Sequence, residues 1–277
     1  MDWLEALILG IVQGATEYLP VSSSGHLTIF QELLGVTITP EQKLEFDVMV
    51  HFATVLSTIT ILFPMFRKLA VSFFQFRDTK DFRYVCKILL SCIPVGIVGV
   101  FFKDSVEAIF GSGLLVVGIC LIVTAALLTF AHLSSINFAT RHLRGANAGH
   151  DITWLDAFVI GIAQSIAVLP GLSRSGSTIA TGILLGDRRS EVAQFSFIMV
   201  VIPIVGEALL DLVGMMTAET SAASGGGVGW LSMLIGFAAA YLVGCAACKW
   251  MIALVKKGRL VWFALYCVIV GILCIII

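Results

Sequence analysis

The chain has 277 residues, of which 58% are hydrophobic and only 13% are charged, and its formal net charge is −1 at pH 7. So little polar surface excludes a water-soluble globular domain of this length, and nothing in the charge indicates a nucleic-acid partner. Apolar runs recur along the whole chain, which is typical of a protein whose solvent is lipid.

Eight hydrophobic units follow one another, and two of them, residues 2–34 and 153–186, are interrupted near the middle by Pro, Gly and a cluster of Ser. The other units are uninterrupted, and each is long enough to cross a hydrocarbon core of roughly 30 Å as a helix. These six predicted spans are residues 46–66, 84–102, 113–133, 192–215, 229–252 and 260–277.

The two interrupted units repeat one another at an offset of 151 residues. Gly10, Gln13, Ser22, Ser24 and Gly25 match Gly161, Gln164, Ser173, Ser175 and Gly176. Chance similarity between apolar segments is the alternative explanation. The repeat predicts one membrane domain over residues 1–277, with repeat 1 at residues 1–133 and repeat 2 at residues 153–277.

If each interrupted unit enters and leaves the membrane on the same face, each repeat crosses three times, and the second repeat starts on the opposite face. The basic residues agree, because starting the first unit outside places 14 of the 17 Lys and Arg in cytoplasmic loops. Those loops are residues 67–87, 134–152, 187–191 and 249–259. Lys43 and Lys103 fall outside, and Arg174 lies in the second break. We therefore predict an all-α polytopic membrane protein with six transmembrane helices and two re-entrant helical hairpins arranged as an inverted repeat.

The two breaks are where chemistry is expected. Backbone N–H and C=O groups without helical partners survive at membrane depth only inside protein or beside a wet cavity. Two breaks that enter from opposite faces are therefore expected to meet near the midplane and to line one cavity.

The first break carries a carboxylate, hydroxyls and an imidazole. Gln13 and Glu17 share a helix face, Pro20 ends that helix, Ser22–Gly25 form a turn, and His26 begins the returning helix. Ionisable groups at membrane depth are functional candidates by default. The alternatives are a solvated interfacial Glu17, a hydrogen-bonded helix-start His26, and serines that only cap a helix.

The second break, residues 170–178, is rich in hydrogen-bond donors. It opens a helix with Ser173, Arg174, Ser175 and Thr178, and a helix N-terminus with hydroxyls and a guanidinium favours an anion. The alternative is a structural Arg174 paired with Glu17. Taken together, the two breaks offer the positioned nucleophile, proton carrier and charge neutralisation that phosphoryl transfer needs.

At these residues the chain resembles the bacterial undecaprenyl-pyrophosphate phosphatases of the bacitracin-resistance family. The segment from Gln13 to Glu17 fits an (E/Q)xxxE motif and is followed by Pro20–His26, and Pro170–Thr178 fits PGxSRSxxT. The likeness covers essentially the full length. Gln13 stands where the family also allows Glu.

The resemblance implies a phosphatase that converts undecaprenyl pyrophosphate to the monophosphate, which returns to peptidoglycan synthesis, and that confers bacitracin resistance. It implies Glu17, Ser23, His26 and Arg174 as catalytic residues, with Arg174, Ser22, Ser173, Ser175 and Thr178 binding phosphate and Gln13 in support. It also implies a divalent cation, Mg²⁺ or Ca²⁺, near Glu17 and no organic cofactor. The expected setting is the bacterial plasma (inner) membrane, among its lipids, with the site open to the outer, periplasmic side.

Several alternatives stay open. The nucleophile could be Ser22, Ser23, Ser24, His26 or a water. We favour Ser23, with His26 as its base and Glu17 orienting the imidazole. Prenyl chain length, a homodimer and a lipid-moving role are not decided. A transporter or flippase is the rival function, because inverted repeats with broken helices are typical of transporters. A non-catalytic scaffold would leave the paired motifs unexplained.

Overall fold

The computed structural model describes residues 1–102, 113–141, 149–206, 209, 228–258 and 260–276. The regular structure in these residues is helical, apart from one isolated bridge between His150 and Asp187. In chain order the helices are α1 Trp3–Thr16, α2 Ser23–Leu33, α3 Pro40–Ile61, α4 Phe63–Phe74, α5 Lys80–Phe101, α6 Leu114–Arg141, α7 Trp154–Ile166, α8 Arg174–Leu185, α9 Arg189–Met199, α10 Trp230–Lys256 and α11 Val261–Ile276. Residues 201–206 are also helical and follow a turn at Val200.

The first interrupted unit forms α1 and α2 with a six-residue break between them. α1 starts in a capping box, in which Asp2 and Glu5 each accept a hydrogen bond from the other's backbone N–H at 2.7 Å. The Ser22 side chain caps α2, and Ser22 has a φ of 69°, a region that non-glycine residues rarely adopt. Such a backbone costs about 1–3 kcal/mol and is concentrated at functional sites.

The second interrupted unit forms α7 and α8 in the same way. Thr153 and Asp156 make the capping box that starts α7, and the Ser173 side chain caps α8. The backbone N–H of His150 donates to Gly186 O at 3.1 Å, and the N–H of Arg188 donates to His150 O at 3.0 Å. The chain therefore enters and leaves this unit at one place.

Five of the helices are long and apolar enough to cross a membrane: Pro40–Ile61, Lys80–Phe101, Leu114–Ser134, Arg189–Gly206 and Trp230–Lys256. The sixth predicted span, 260–277, forms α11, which has 16 residues and falls among the shorter apolar helices. The predicted end of span 192–215, and the basic residues Lys103, Arg144 and Arg259, lie outside the described residues. The protein is thus a multi-pass membrane protein, and the exact arrangement of six spans and two re-entrant hairpins stays a prediction.

The predicted span at residues 46–66 was wrong as one continuous helix. α3 ends at Ile61 and α4 begins at Phe63, with Leu62 at a φ of −101° between them. Pro64 occupies the first turn of α4, where its missing N–H costs nothing, whereas the same residue inside a longer helix would remove a hydrogen bond. The predicted cytoplasmic loop at 67–87 consequently contains most of α4 and the start of α5.

Glycines let the first helix of each interrupted unit approach a long helix closely. α1 packs against α10, and α7 packs against α5. A Cβ on Gly10 would lie 2.3 Å from Gly236 O, and a Cβ on Gly161 would lie 2.4 Å from Ser91 O. Any side chain at either position would clash with backbone, so these contacts fix the position of each break relative to the long helix beside it.

Candidate active site

The two breaks touch, as the sequence predicted. The Ser175 hydroxyl donates to Leu19 O at 3.1 Å, which joins the start of α8 to the first break. A Cβ on Gly176 would lie 3.1 Å from the Pro20 Cβ, and a Cβ on Gly25 would lie 3.1 Å from the Gly171 Cα. Glycine at positions 25 and 176 therefore permits the close approach of the two motifs.

A small, partly open cavity lies beside this junction. Its polar lining comes from the two breaks, from the start of α8 and from α3, α7 and α9, and its apolar lining comes mainly from α9 and the helical residues after it. The lining residues are Glu17, Tyr18, Thr54, Val55, Thr58, Gln164, Arg174, Ser175, Thr178, Ser196, Phe197, Val200, Val201 and Ile204.

Glu17 is the most highly connected polar group of the site. Its Oε2 accepts hydrogen bonds from the Ser23 hydroxyl at 2.7 Å and from Gln13 Nε2 at 2.9 Å. The side chain is 7% exposed, so the alternative of a solvated interfacial carboxylate does not hold. The neighbouring Tyr18 hydroxyl donates to Thr54 O at 2.6 Å and anchors this break to α3.

His51 on α3 also faces Glu17 and was not predicted. Its Nδ1 lies 2.7 Å from Asp47 O, and because a carbonyl only accepts, Nδ1 carries the hydrogen. Its Nε2 faces Glu17 Oε2 at 3.8 Å, and a favourable contact between these two atoms requires that Nε2 carries a hydrogen as well. A histidine inside a predicted span was a signal in the sequence that could have found it.

We expect His51 to position the Glu17 carboxylate. Replacing His51 with Ala should lower kcat about tenfold with little change in KM, because substrate phosphate does not need the imidazole for binding. Gln should rescue His51→Ala, since its amide reaches a similar point and donates one hydrogen bond. Steady-state kinetics of both variants would test this prediction. If both variants keep the thermal stability of the wild type and lose the same factor in kcat, the positioning role is contradicted.

His26 is held away from Ser23. Its Nδ1 donates to Ser22 O at 2.8 Å, and its Nε2 lies 2.7 Å from the Tyr266 hydroxyl on α11. In the neutral ring Nε2 accepts the tyrosine hydrogen. The expected hydrogen bond from Ser23 to His26 is therefore not formed, and the Glu–His–Ser order that we favoured is wrong for this structure. Glu17 is the group that contacts the Ser23 hydroxyl.

The hydroxyls of Ser22, Ser24 and Ser173 have hydrogen-bond partners within their own break. The Ser22 hydroxyl accepts from Gly25 N at 3.3 Å and lies 3.4 Å from the Ser24 hydroxyl. The Ser173 hydroxyl accepts from Gly176 N at 3.0 Å. The expectation that some of these serines cap helices is confirmed, and the roles of Ser22 and Ser173 as phosphate ligands stay predictions.

Arg174 stands at the start of α8 and lines the cavity. No described residue makes an ion pair or hydrogen bond with its guanidinium, although its charge acts electrostatically on Glu17. Thr178, one turn later, donates to Arg174 O at 3.0 Å and lines the same cavity. The guanidinium and the α8 N-terminus thus offer positive potential to an anion.

Two further cavity residues were missed, Gln164 on α7 and Ser196 on α9. Gln164 is 0% exposed, and neither atom of its amide has a hydrogen-bond partner among the described residues; the Ser196 hydroxyl likewise has none there. Buried polar atoms without partners are costly unless a ligand or water satisfies them. The repeat already matched Gln164 to Gln13, which was the available signal.

The first break has some of the ligands that a hard cation needs. Glu17 supplies a carboxylate, and Gln13 Oε1 is a buried amide oxygen without a hydrogen-bond partner among the described residues. Mg²⁺ is commonly held by one or two carboxylates together with substrate phosphates and water, so these residues fit a substrate-bound ion.

The fold and the cavity define a class of protein: a multi-pass membrane protein with a polar cavity where two interrupted helical units meet. The family model described as "Bacitracin resistance protein BacA" matches residues 6–273. The chain therefore belongs to this family, as the resemblance of its motifs indicated.

Curated relatives span the whole chain. A protein of Bacteroides fragilis named "Undecaprenyl-diphosphatase" is 54% identical over 277 residues, covering 100% of this chain and 98% of its own length. A protein of the same name from Bacteroides thetaiotaomicron is 54% identical over 276 residues, covering 100% and 99%. One from Oceanobacillus iheyensis is 36% identical over 276 residues, covering 97% and 94%.

Proposed function

We propose that this protein hydrolyses undecaprenyl pyrophosphate to undecaprenyl phosphate and inorganic phosphate. The observation that carries the proposal is the 2.7 Å hydrogen bond from the Ser23 hydroxyl to Glu17, because it joins a nucleophile to a base beside the cavity that Arg174 lines. The family and the names of its relatives agree with this reading.

The charged diphosphate and the apolar prenyl chain of the substrate would occupy different parts of the cavity. The diphosphate would contact Arg174, Ser175 and Thr178 at the start of α8, where the guanidinium fork and the helix N-terminus favour an anion. The prenyl chain would lie along Val201 and Ile204. The buried amide of Gln164 would find its missing partners in phosphate oxygens.

In the chemical step, the Ser23 oxygen attacks the terminal phosphorus and the bridging P–O bond breaks. The Ser23 proton passes to the Glu17 carboxylate, and the leaving group is the lipid monophosphate. A water then attacks the phosphoserine, which releases inorganic phosphate and restores the Ser23 hydroxyl. Arg174 neutralises charge on the transferring group in both steps.

A divalent cation held by Glu17 and Gln13 would supply further charge neutralisation on the phosphate oxygens. For His26 we propose a positioning role in place of the base role that the sequence predicted. Its bonds to Ser22 O and Tyr266 mean that it would hold the shape of the break, which is a positioning role.

The cellular role follows from this reaction. We propose that the protein lies in the bacterial inner membrane as six spans and two re-entrant hairpins, with the site open to the periplasm. The paired ends of the second unit support a re-entrant hairpin there. The product would return to peptidoglycan synthesis, and removal of the pyrophosphate would confer bacitracin resistance.

A lipid transporter is the rival function. It needs an anion site, but it has no use for a hydroxyl bonded to a buried carboxylate. The decisive experiment is phosphate release from undecaprenyl pyrophosphate by the purified protein in detergent. Stoichiometric release of one phosphate per lipid would support the phosphatase, and binding of the lipid without release would sink it.

Arg174→Lys is expected to lower phosphate release on the order of 100-fold, comparable to the loss of one preorganised oxyanion donor. Lysine keeps the charge but loses the two-pronged donor, and no described basic residue lies beside the cavity to replace it. Arg67→Lys, the same change on the exposed surface of α4, is the matched control and should be neutral. Near-normal turnover by Arg174→Lys would show that hydrolysis does not need the two-pronged contact of the guanidinium with phosphate.

A further inference from the structure

Two buried polar side chains of the cavity have unused hydrogen-bonding atoms. Gln164 on α7 is 0% exposed, Ser196 on α9 is 3% exposed, and both line the cavity together with Arg174. The described residues supply no hydrogen-bond partner to either atom of the Gln164 amide or to the Ser196 hydroxyl. Buried groups of this kind cost stability unless a ligand or water satisfies them, which points to a ligand contact in the cavity.

The sequence repeat indicates which kind of partner Gln164 lacks. Its match in the first unit, Gln13, donates from Nε2 to the carboxylate of Glu17, four residues later, at 2.9 Å. Four residues after Gln164 the second unit has Val168, so the amide has no carboxylate at this spacing. A phosphate oxygen accepts the same charge-assisted hydrogen bond as a carboxylate oxygen. A phosphate group of the substrate would therefore replace the missing carboxylate.

Ser196 lies next to the apolar lining of the cavity. Val200 and Ile204 follow it at intervals of four residues along α9 and its continuation, and all three line the cavity. The Ser23 hydroxyl is bonded to Glu17, which lines the cavity from the first break. A lipid diphosphate with its terminal phosphorus at Ser23 and its chain along α9 would bring its second phosphate, the one attached to the lipid, to Ser196.

Only neutral donors remain for that second phosphate. Arg174 is the one basic side chain that the described residues contribute to the cavity lining, and its guanidinium belongs to the transferring phosphate. Hydrogen bonds from neutral donors are roughly half as strong as those from charged donors. Gln164 and Ser196 would therefore hold the lipid monophosphate less tightly than Arg174 holds the transferring group, which favours release of the lipid product.

We propose that Gln164 and Ser196 bind the phosphate that remains on the lipid and stabilise it as the leaving group, an inference that rests on the proposed phosphatase activity. When the bond between the terminal phosphorus and the bridging oxygen breaks, its electron pair stays on that oxygen, which becomes a terminal oxygen of the lipid monophosphate. Gln164 Nε2 and the Ser196 hydroxyl donate hydrogen bonds to this phosphate, and neither transfers a proton. Negative charge grows there in the transition state, so these donors accelerate the step.

Product inhibition separates the two phosphate positions. Undecaprenyl phosphate and orthophosphate are each added to purified protein in detergent while the release of labelled phosphate from undecaprenyl pyrophosphate is measured. Gln164→Met keeps an unbranched side chain of similar size without the amide. It should raise the Ki of undecaprenyl phosphate about tenfold or more and leave the Ki of orthophosphate within about twofold, whereas Arg174→Lys should mainly weaken orthophosphate. The kcat/KM of Gln164→Met should fall on the order of 100-fold, and that of Ser196→Ala about tenfold.

Thermal stability distinguishes a ligand-binding amide from a structural one. Without ligand, Gln164→Met should raise the thermal midpoint by about 2–4 °C, because the variant no longer buries an amide without partners. Gln31→Met is the matched control, since Gln31 is also buried but donates to Asp47 Oδ1 at 3.4 Å. Its loss should lower the thermal midpoint and leave both Ki values within about twofold.

Three results would overturn the inference: an unchanged Ki of undecaprenyl phosphate in Gln164→Met, an equal rise in the Ki of both inhibitors, or a fall in the thermal midpoint of this variant. Failure of the proposed function is a separate result, in which the wild type releases no phosphate at all. The Kd values of the same two ligands, measured by titration of the wild type and Gln164→Met, would then still show whether Gln164 contacts the phosphate of the lipid.

Discussion

Glu17→Gln is expected to abolish phosphate release, to below about one-thousandth of the wild-type rate. The glutamine amide cannot take the Ser23 proton. The Glu17 carboxylate accepts hydrogen bonds from both Ser23 and Gln13, whereas one of the two polar atoms of the amide is a donor and cannot accept from them. Glutamine has nearly the shape of glutamate, so the variant should remain folded and inserted. Release of labelled phosphate from undecaprenyl pyrophosphate is the measurement.

Glu32→Gln is the matched control, because Glu32 lies on the exposed end of α2 in the same hairpin. It should keep full activity. Residual turnover above about one-tenth in Glu17→Gln would contradict the role of Glu17 as base. A chelator separates the two proposed roles of Glu17: full activity in its presence would remove the cation and leave proton transfer as the only role.

The interrupted units were predictable because their signals are local. Pro20, the serine caps and the match at 151 residues indicated both breaks. The predicted boundaries of the first break were wrong by a few residues, because α1 already ends at Thr16 and α2 begins at Ser23, where the Ser22 cap starts it, rather than at His26. The break at Leu62 was missed for the opposite reason. Residues 61–63 are all strongly apolar, so hydropathy shows no interruption at Leu62, and only Pro64 indicated that a new helix starts there.

Only the site residues that lie within the two sequence motifs were predictable. Glu17, Ser23 and Arg174 lie in the breaks and were found, whereas His51 and Tyr266 come from α3 and α11 and depend on which helices become neighbours. Spacing on one helix shows which residues share a face of that helix. The hydrogen-bond partner of a side chain also depends on which other helix packs against that face.

The contacts of His26 show how a tertiary partner changed the predicted mechanism. It lies three positions after Ser23 in the sequence, which allowed a hydrogen bond between them on spacing alone. The ring instead stacks on Tyr266, with ring centroids 5.6 Å apart, and bonds to its hydroxyl. Because α11 is more than 230 residues away in sequence, no local pattern could have shown that this contact wins over Ser23.

Ser23→Ala is expected to lower turnover on the order of 1,000-fold, because it removes the hydroxyl that forms the covalent intermediate. Ser24→Ala is the matched control in the next position. The Ser24 hydroxyl lies 3.4 Å from Ser22 Oγ and has no contact with Glu17 in the described structure, so its loss should cost less than about threefold. Initial rates with undecaprenyl pyrophosphate in detergent would compare the two variants.

Trapping the intermediate distinguishes Ser23 from its competitors. Enzyme quenched during turnover with terminally labelled substrate should carry acid-stable phosphate on Ser23, since a phosphoserine ester survives acid. The geometry favours this outcome, because Glu17 Oε2 lies 2.7 Å from the Ser23 hydroxyl and is placed to accept its proton. Acid-labile label on His26 would instead make the imidazole the nucleophile. Unimpaired turnover by Ser23→Ala without any trapped phosphate would mean that water attacks directly, and Glu17 would then activate that water.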